Sequence, residues 1–173
     1  VNLAVLRVNG TTGVSTVLNT TSIAGGEDGC TFIGNVLYMT DGAGGSNSIY
    51  TYNTVTSTFA TLTSGTLPGG SYDALRYCAA NNTLYYGNAA TGGLYTVNQT
   101  TGALTLISSS LASGTAKFVI DPFGVYAYYL DNGNSVNRIK LSTGVSSSFA
   151  TGLASNNNSD LAFGPSSSGS GLS

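Results

Sequence analysis

The chain has 173 residues, five of them basic, seven acidic and none histidine, with a net charge of −2. Charged residues make up 7% of it, against about 25% in an average soluble domain, so it carries no basic stripe for nucleic acid or an anionic membrane. An apolar share of 41% excludes a disordered chain, the lack of His removes the commonest general base, and no apolar run approaches the roughly 18 residues of a membrane span.

In chain order, one motif appears as VLRVNGTTG (5–13), IYTYNTVTS (49–57), LYTVNQTTG (94–102) and VNRIKLSTG (136–144). A second appears as VLYMTD (36–41), TLYYGN (83–88) and AYYLD (127–131). The period is about 44 residues, the length of a solenoid or propeller unit that cannot bury its own apolar face. The best-defined unit reads as four strands. Strand a is DALRYCA (73–79), strand b TLYYG (83–87), strand c GLYTVN (93–98) and strand d ALTLIS (103–108). Strand c alternates, placing Leu94 and Thr96 on one face and Tyr95 and Val97 on the other. The turn from c to d ends at Gly13, Ser57, Gly102 and Gly144, spaced by 44, 45 and 42 residues. Glycine suits a φ > 0 position there, and Ser57 is expected in a looser turn. Helical periodicity is absent, and Gly, Ser, Thr and Asn punctuate every stretch.

These features predict an all-β, propeller-like fold of four blades and about sixteen strands, as one domain over 1–173. Strand a begins at Asp28, Asp73, Lys117 and Asp160. The chain therefore starts in strand c and stops after strand b. The closing blade is expected to be split between the termini, with 160–173 supplying strands a and b. Closure within the chain is the favoured pairing, and strand exchange between subunits the other.

FVIDPFGVYAYYLDNGNSVNRIKLSTG (118–144) and DLAFGPSSSGSGLS (160–173) resemble blades of NHL-type and SMP-30-like propellers. Such a blade opens with an apolar strand, turns at an Asp-Pro-type step and continues into a Leu-Tyr-rich strand ending in Asp. The resemblance implies a propeller and does not transfer an activity. The metal-dependent hydrolases among SMP-30-like propellers use a carboxylate-and-Asn cage, and this chain does not match that cage residue by residue.

The start of strand a gathers Glu27, Asp28, Asp73 and Asp160 around one mouth of a propeller, where oxygen ligands suit Ca²⁺. Lys117 occupies the fourth position, so the preferred reading is turn capping or pairing with Lys117, without a metal. Asp41, Asn88 and Asp131 follow strand b and are expected to bond the backbone. Tyr38, Tyr85, Tyr86, Tyr126, Tyr128 and Tyr129 are read as packing between blades, with a sugar-stacking platform as the alternative. Five sequons, at Asn9, Asn19, Asn81, Asn98 and Asn157, fall in expected turns, with Asn98 the favoured acceptor. Cys30 and Cys78 are a candidate disulfide between consecutive blades, with two buried thiols as the alternative.

No nucleophile, phosphate-loop or zinc motif is present, and no cofactor is implied. The sequence is best read as a non-enzymatic extracellular or cell-surface structural or adhesive protein. Such a protein self-associates through terminal strands or blade faces. A glycan-binding propeller is second and a metal-dependent hydrolase third. Low charge supports the first reading, because it removes the repulsion that keeps monomers apart.

Overall fold

The computed structural model describes residues 5–19, 27–41, 48–63, 67–68, 73–111, 117–131, 135–152 and 161–163; of Asn19, Glu27, Asp28 and Asp73 the backbone alone is described. The fold is all-β and propeller-like. Sheet 1 is the hairpin of β1 (Val5–Val8) and β2 (Ser15–Asn19). Sheet 2 holds β3 (Glu27–Ile33), β4 (Val36–Asp41), β5 (Ile49–Asn53) and β6 (Thr58–Thr63). Sheet 3 holds β7 (Asp73–Cys78), β8 (Thr83–Asn88), β9 (Gly93–Val97) and β10 (Leu104–Ser108). Sheet 4 holds β11 (Phe118–Ile120), β12 (Tyr126–Leu130), β13 (Val136–Lys140) and β14 (Ser146–Ala150). Sheets 2 to 4 are antiparallel meanders in chain order, and the expected four strands of 73–108 fall within a residue of their places.

The turn from strand c to strand d shows why the motif repeats. Asn9 Oδ1 accepts the N–H groups of Thr11 and Thr12 at 2.9 and 3.0 Å. Asn53 does the same for Val55 and Thr56, and Asn98 for Thr100 and Thr101. The side chain thus supplies partners that a tight turn denies its own backbone. Lys140 replaces Asn in sheet 4, where the Gly144 N–H still donates to the Lys140 carbonyl at 2.8 Å. The last residue is left-handed in all four copies: φ is 69° at Gly13, 56° at Ser57, 72° at Gly102 and 70° at Gly144. Ser57 does not sit in a looser turn. The Asn53 cap holds it in the glycine conformation despite its Cβ.

The sheets stack face to face, and strand alternation assigns each side chain to one neighbour. Leu37, Met39 and Tyr52 of sheet 2 pack with Val5 and Leu18 of sheet 1. Tyr38 and Ile49, on the opposite face, pack with Leu75, Leu84, Tyr86 and Val97 of sheet 3. Ala74, Cys78, Tyr85 and Leu94 of sheet 3 pack with Phe118, Ala127, Tyr129 and Ile139 of sheet 4. Each large side chain so buried contributes about 1.5–3 kcal/mol. The turn glycines complete these contacts. A Cβ at Gly102 would lie 2.6 Å from Thr63 Cβ in sheet 2, and one at Gly144 would clash with the Ile107 carbonyl oxygen in sheet 3.

The split closing blade is seen in part. β1 and β2 occupy the places of strands c and d. Leu161–Phe163, expected in strand a, has no strand conformation, and Asp160 and 164–173 lie outside the described residues. Among the described residues no core cluster joins sheet 4 to sheet 1. Leu6, Val8 and Val17 of sheet 1 are exposed, and the closing strands expected from 160–173 lie outside the described residues except for 161–163.

Two glycines of one class should therefore differ in cost. Gly144→Ala sets a Cβ against the sheet 3 backbone at positive φ and should cost at least about 2 kcal/mol. Gly13→Ala, with nothing within 4 Å of the new Cβ, should cost about 1 kcal/mol from backbone strain alone. Urea unfolding of both variants measures the difference.

Candidate functional site

The polar residues that follow strand b are structural in all three described blades. The Ser48 N–H donates to Asp41 Oδ1 at 2.7 Å, the Thr91 N–H to Asn88 Oδ1 at 2.8 Å, and the Ser135 N–H to Asp131 Oδ1 at 2.9 Å. Each second side-chain atom reaches the same blade: Tyr50 OH donates to Asp41 Oδ2 at 3.5 Å and Asn137 Nδ2 to Asp131 Oδ2 at 2.9 Å. Asn88 Nδ2 donates to Tyr86 OH at 3.1 Å and to the Pro68 carbonyl at 2.9 Å. These groups hold the turn from b to c, as the sequence position implies.

One capping carboxylate was not singled out by the sequence. Asp121 is buried after β11 and accepts three N–H groups. Phe123 and Val125 donate to Oδ1 at 3.2 and 2.8 Å, and Tyr126 to Oδ2 at 3.0 Å. Its signal was the Asp121-Pro122 step of the blade pattern. Pro122 can donate no N–H, so the carboxylate organises the turn around it.

The mouth residues are only partly placed. Glu27, Asp28 and Asp73 stand at strand starts with side chains outside the description, and Asp160 lies outside the described residues. Lys117 is exposed just before β11. No group of three His, Cys, Asp or Glu among the described residues is arranged to hold a metal.

Cys30 and Cys78 do not form a disulfide. Strand parity gives the reason. Cys30 faces sheet 1, where it lines a groove of about 660 Å³ with Val5, Leu18, Phe32 and Leu37. Cys78 faces sheet 4 and lies 4.0 Å from the Asp121 carbonyl oxygen. The two thiols point away from each other. Nor are both buried, since Cys30 is exposed.

Of the tyrosines, Tyr38, Tyr85, Tyr86 and Tyr129 are buried between sheets. Burial pushes the Tyr38 and Tyr85 phenols above the usual 10.0. At Tyr85 the hydrogen bonds of Asn81 and Thr83 oppose that rise. Tyr126 and Tyr128 differ: they lie half-buried on the face of sheet 4 turned away from sheet 3. There Tyr128 meets the ring of Phe149 edge-on at 5.0 Å and that of Phe163 at 5.5 Å. The Arg138 guanidinium sits 4.7 Å from the Tyr126 ring centroid and 5.5 Å from that of Phe149, with its Nε donating to Ser147 Oγ at 3.4 Å. Arg138 and Phe149 went unnoticed in the sequence, although the parity of β13 and β14 places them together.

The sequons also separate. At Asn9 and Asn98 the Oδ1 atom holds the turn and both residues are exposed, so the amide nitrogen is turned to solvent. Asn81 Nδ2 instead donates to Tyr85 OH at 2.8 Å and to the Gly124 carbonyl at 3.4 Å, and a glycan there would break both bonds. Asn19 has no described side chain, and Asn157 lies outside the described residues.

No protein-family model and no curated protein sequence matches the chain. Solved structures do, at low identity. The chain is similar to TolB from Acinetobacter baumannii, with 16% identity and a TM-score of 0.60 over 85% of this chain and 37% of that one. It is similar to a chain of a nidogen/laminin complex, with 12% identity and a TM-score of 0.67 over 86% of this chain and 59% of that one. It is also similar to virginiamycin B lyase from Staphylococcus aureus, with 14% identity and a TM-score of 0.53 over 72% and 41%. These likenesses establish the propeller-like fold, and the chain spans less than two thirds of each of these proteins. Membership of the NHL-type or SMP-30-like groups is not established by them.

Two outcomes test this account. Asp121→Ala strands three N–H groups and should cost about 2–3 kcal/mol, read by urea unfolding. In a spectrophotometric titration, the Tyr38 and Tyr85 phenols should ionise above the usual 10.0. A raised folded pKa favours the neutral phenol, so its contribution is complete below the unfolded value and lost as pH rises through the folded one. Stability should fall above about pH 10, and Tyr85→Phe should flatten that alkaline decline.

Proposed function

We propose that this chain is a non-enzymatic structural or adhesive module of an extracellular or cell-surface assembly. The observation that carries the reading is how its polar groups are used. Asp41, Asn88, Asp121 and Asp131 each cap backbone of their own blade, which leaves a surface of uncharged side chains to meet partners. A surface with so little charge tolerates close approach of other surfaces, which suits a scaffold. Exposed turn sequons at Asn9 and Asn98 fit a secreted protein carrying N-glycans, with Asn98 as the main acceptor. One similar solved structure is that of a nidogen/laminin complex, a propeller-like chain in a protein assembly.

Glycan binding is the second reading. It is favoured by the aromatic and guanidinium cluster of Tyr126, Tyr128, Arg138 and Phe149, because flat rings beside hydrogen-bond donors suit sugars.

Labelling of intact producing cells with a membrane-impermeant reagent tests the extracellular reading, followed by intact mass before and after glycosidase treatment. The chain should be labelled and should lose mass, and Asn98→Gln should remove most of that loss. A chain protected from the label overturns the reading. Binding on a glycan array by a soluble monomer would favour the second reading.

A further inference from the structure

We infer that the outer face of sheet 4 docks the outer face of sheet 1 of a second copy of this chain, so that copies join head to tail. The inference rests on the self-associating scaffold reading above and names its contact surfaces. The argument is continuity with the interfaces already inside the molecule. Three times in succession one sheet's leading face covers the next sheet's trailing face, using the same repeat positions.

On the trailing face the relevant positions are Val8, Tyr52, Val97 and Ile139, equivalent by the motif of strand c. Tyr52, Val97 and Ile139, each with a sheet in front of it, are 1%, 4% and 0% exposed, whereas Val8 is 61% exposed. On the leading face the equivalent residues are Tyr38, Tyr85 and Tyr128. Tyr38 and Tyr85 are buried against the following sheet, whereas Tyr128 is half-buried and, among the described residues, its ring contacts are with Phe163 and the rings of its own sheet. Phe149, beside it, is 56% exposed.

The turn glycines give a second, independent sign. Gly102 rests on Leu62 and Thr63, and Gly144 on the equivalent Ile107 and Ser108, each in strand d of the sheet before. Gly13 has nothing within 4 Å. The repeat places Phe149 and Ala150 of a preceding copy under Gly13, and Leu6, Val8 and Val17 against its Tyr128 and Phe149. An arginine held among aromatic rings at the centre of such a face is the composition of an interface hot spot. The two patches differ and lie at opposite ends of the stack. The contact is therefore heterologous, and it propagates into a filament or closes into a ring.

The whole chain tests this by sedimentation velocity across a concentration series. Val8→Glu disables the trailing face and Phe149→Glu the leading face, both at exposed positions where the fold should survive, as circular dichroism will verify. The unaltered chain should form a concentration-dependent series of oligomers. Each variant alone should associate at least about tenfold more weakly. An equimolar mixture should form a dimer and nothing larger, because Val8→Glu keeps a working sheet 4 and Phe149→Glu a working sheet 1. Gly13→Asn, tolerated at positive φ, should weaken association without loss of fold. A monomer at every concentration overturns the inference, as does a mixture that gives no dimer or association that ignores all three substitutions. Surface labelling and a glycan mass loss in a monomeric chain would leave the extracellular reading standing and remove this one alone.

Discussion

Everything in this fold depends on the burial of one sheet face by the next. A meander of four short strands has two apolar faces and cannot cover either. Sheet 2 becomes stable because Val5 and Leu18 close one face and Leu84, Tyr86 and Val97 the other. Sheet 3 is enclosed in the same way, by Tyr38 and Ile49 on one side and Phe118, Ala127 and Ile139 on the other. The alternation of strands b and c, tyrosine beside aliphatic residue, makes this two-sided packing possible. It also explains why so many aromatics in a weakly charged chain lie inside.

Local polar chemistry makes each blade independent of its neighbours in shape, if not in stability. The Asn caps at Asn9, Asn53 and Asn98 hold the turn from c to d, and the Asx caps at Asp41, Asn88 and Asp131 hold the turn from b to c. Both are side-chain bonds to backbone a few residues on, so they form wherever the motif is written. Burial then raises the worth of these bonds. Asp121 sits in the interior and donates no proton, yet its two oxygens find three N–H groups. Left unpaired, those groups would carry the desolvation cost that buried polar atoms incur.

Repetition also marks the places where the pattern is interrupted. Arg138 stands where two equivalent positions carry Thr51 and Thr96 and the other Arg7, and it holds Tyr126 and Phe149 around its guanidinium. Val8 is exposed where the other three blades bury Tyr52, Val97 and Ile139. The two ends of the stack thus differ from its interior in exposure at equivalent positions.

The fold and its turn chemistry were legible in the letters, because both depend on short-range periodicity. Two-residue alternation and the recurrence of Asn-x-x-x-Gly determined four strands per repeat, the capping roles of Asp41, Asn88 and Asp131, and the opposed faces of Leu94 and Val97. What the tertiary structure decided depends on distance between repeats. Cys30 and Cys78 looked suited to a bridge by parity, but their sheets send them to different neighbours, one toward sheet 1 and one toward sheet 4. Ser57 holds the glycine conformation because a cap elsewhere in its turn compensates the strain. Closure of the ring was read from a count of residues, which measures chain length and not the angle between blades. That angle is set by side-chain volumes between sheets, and Val8 and Phe149 are exposed on the two end sheets.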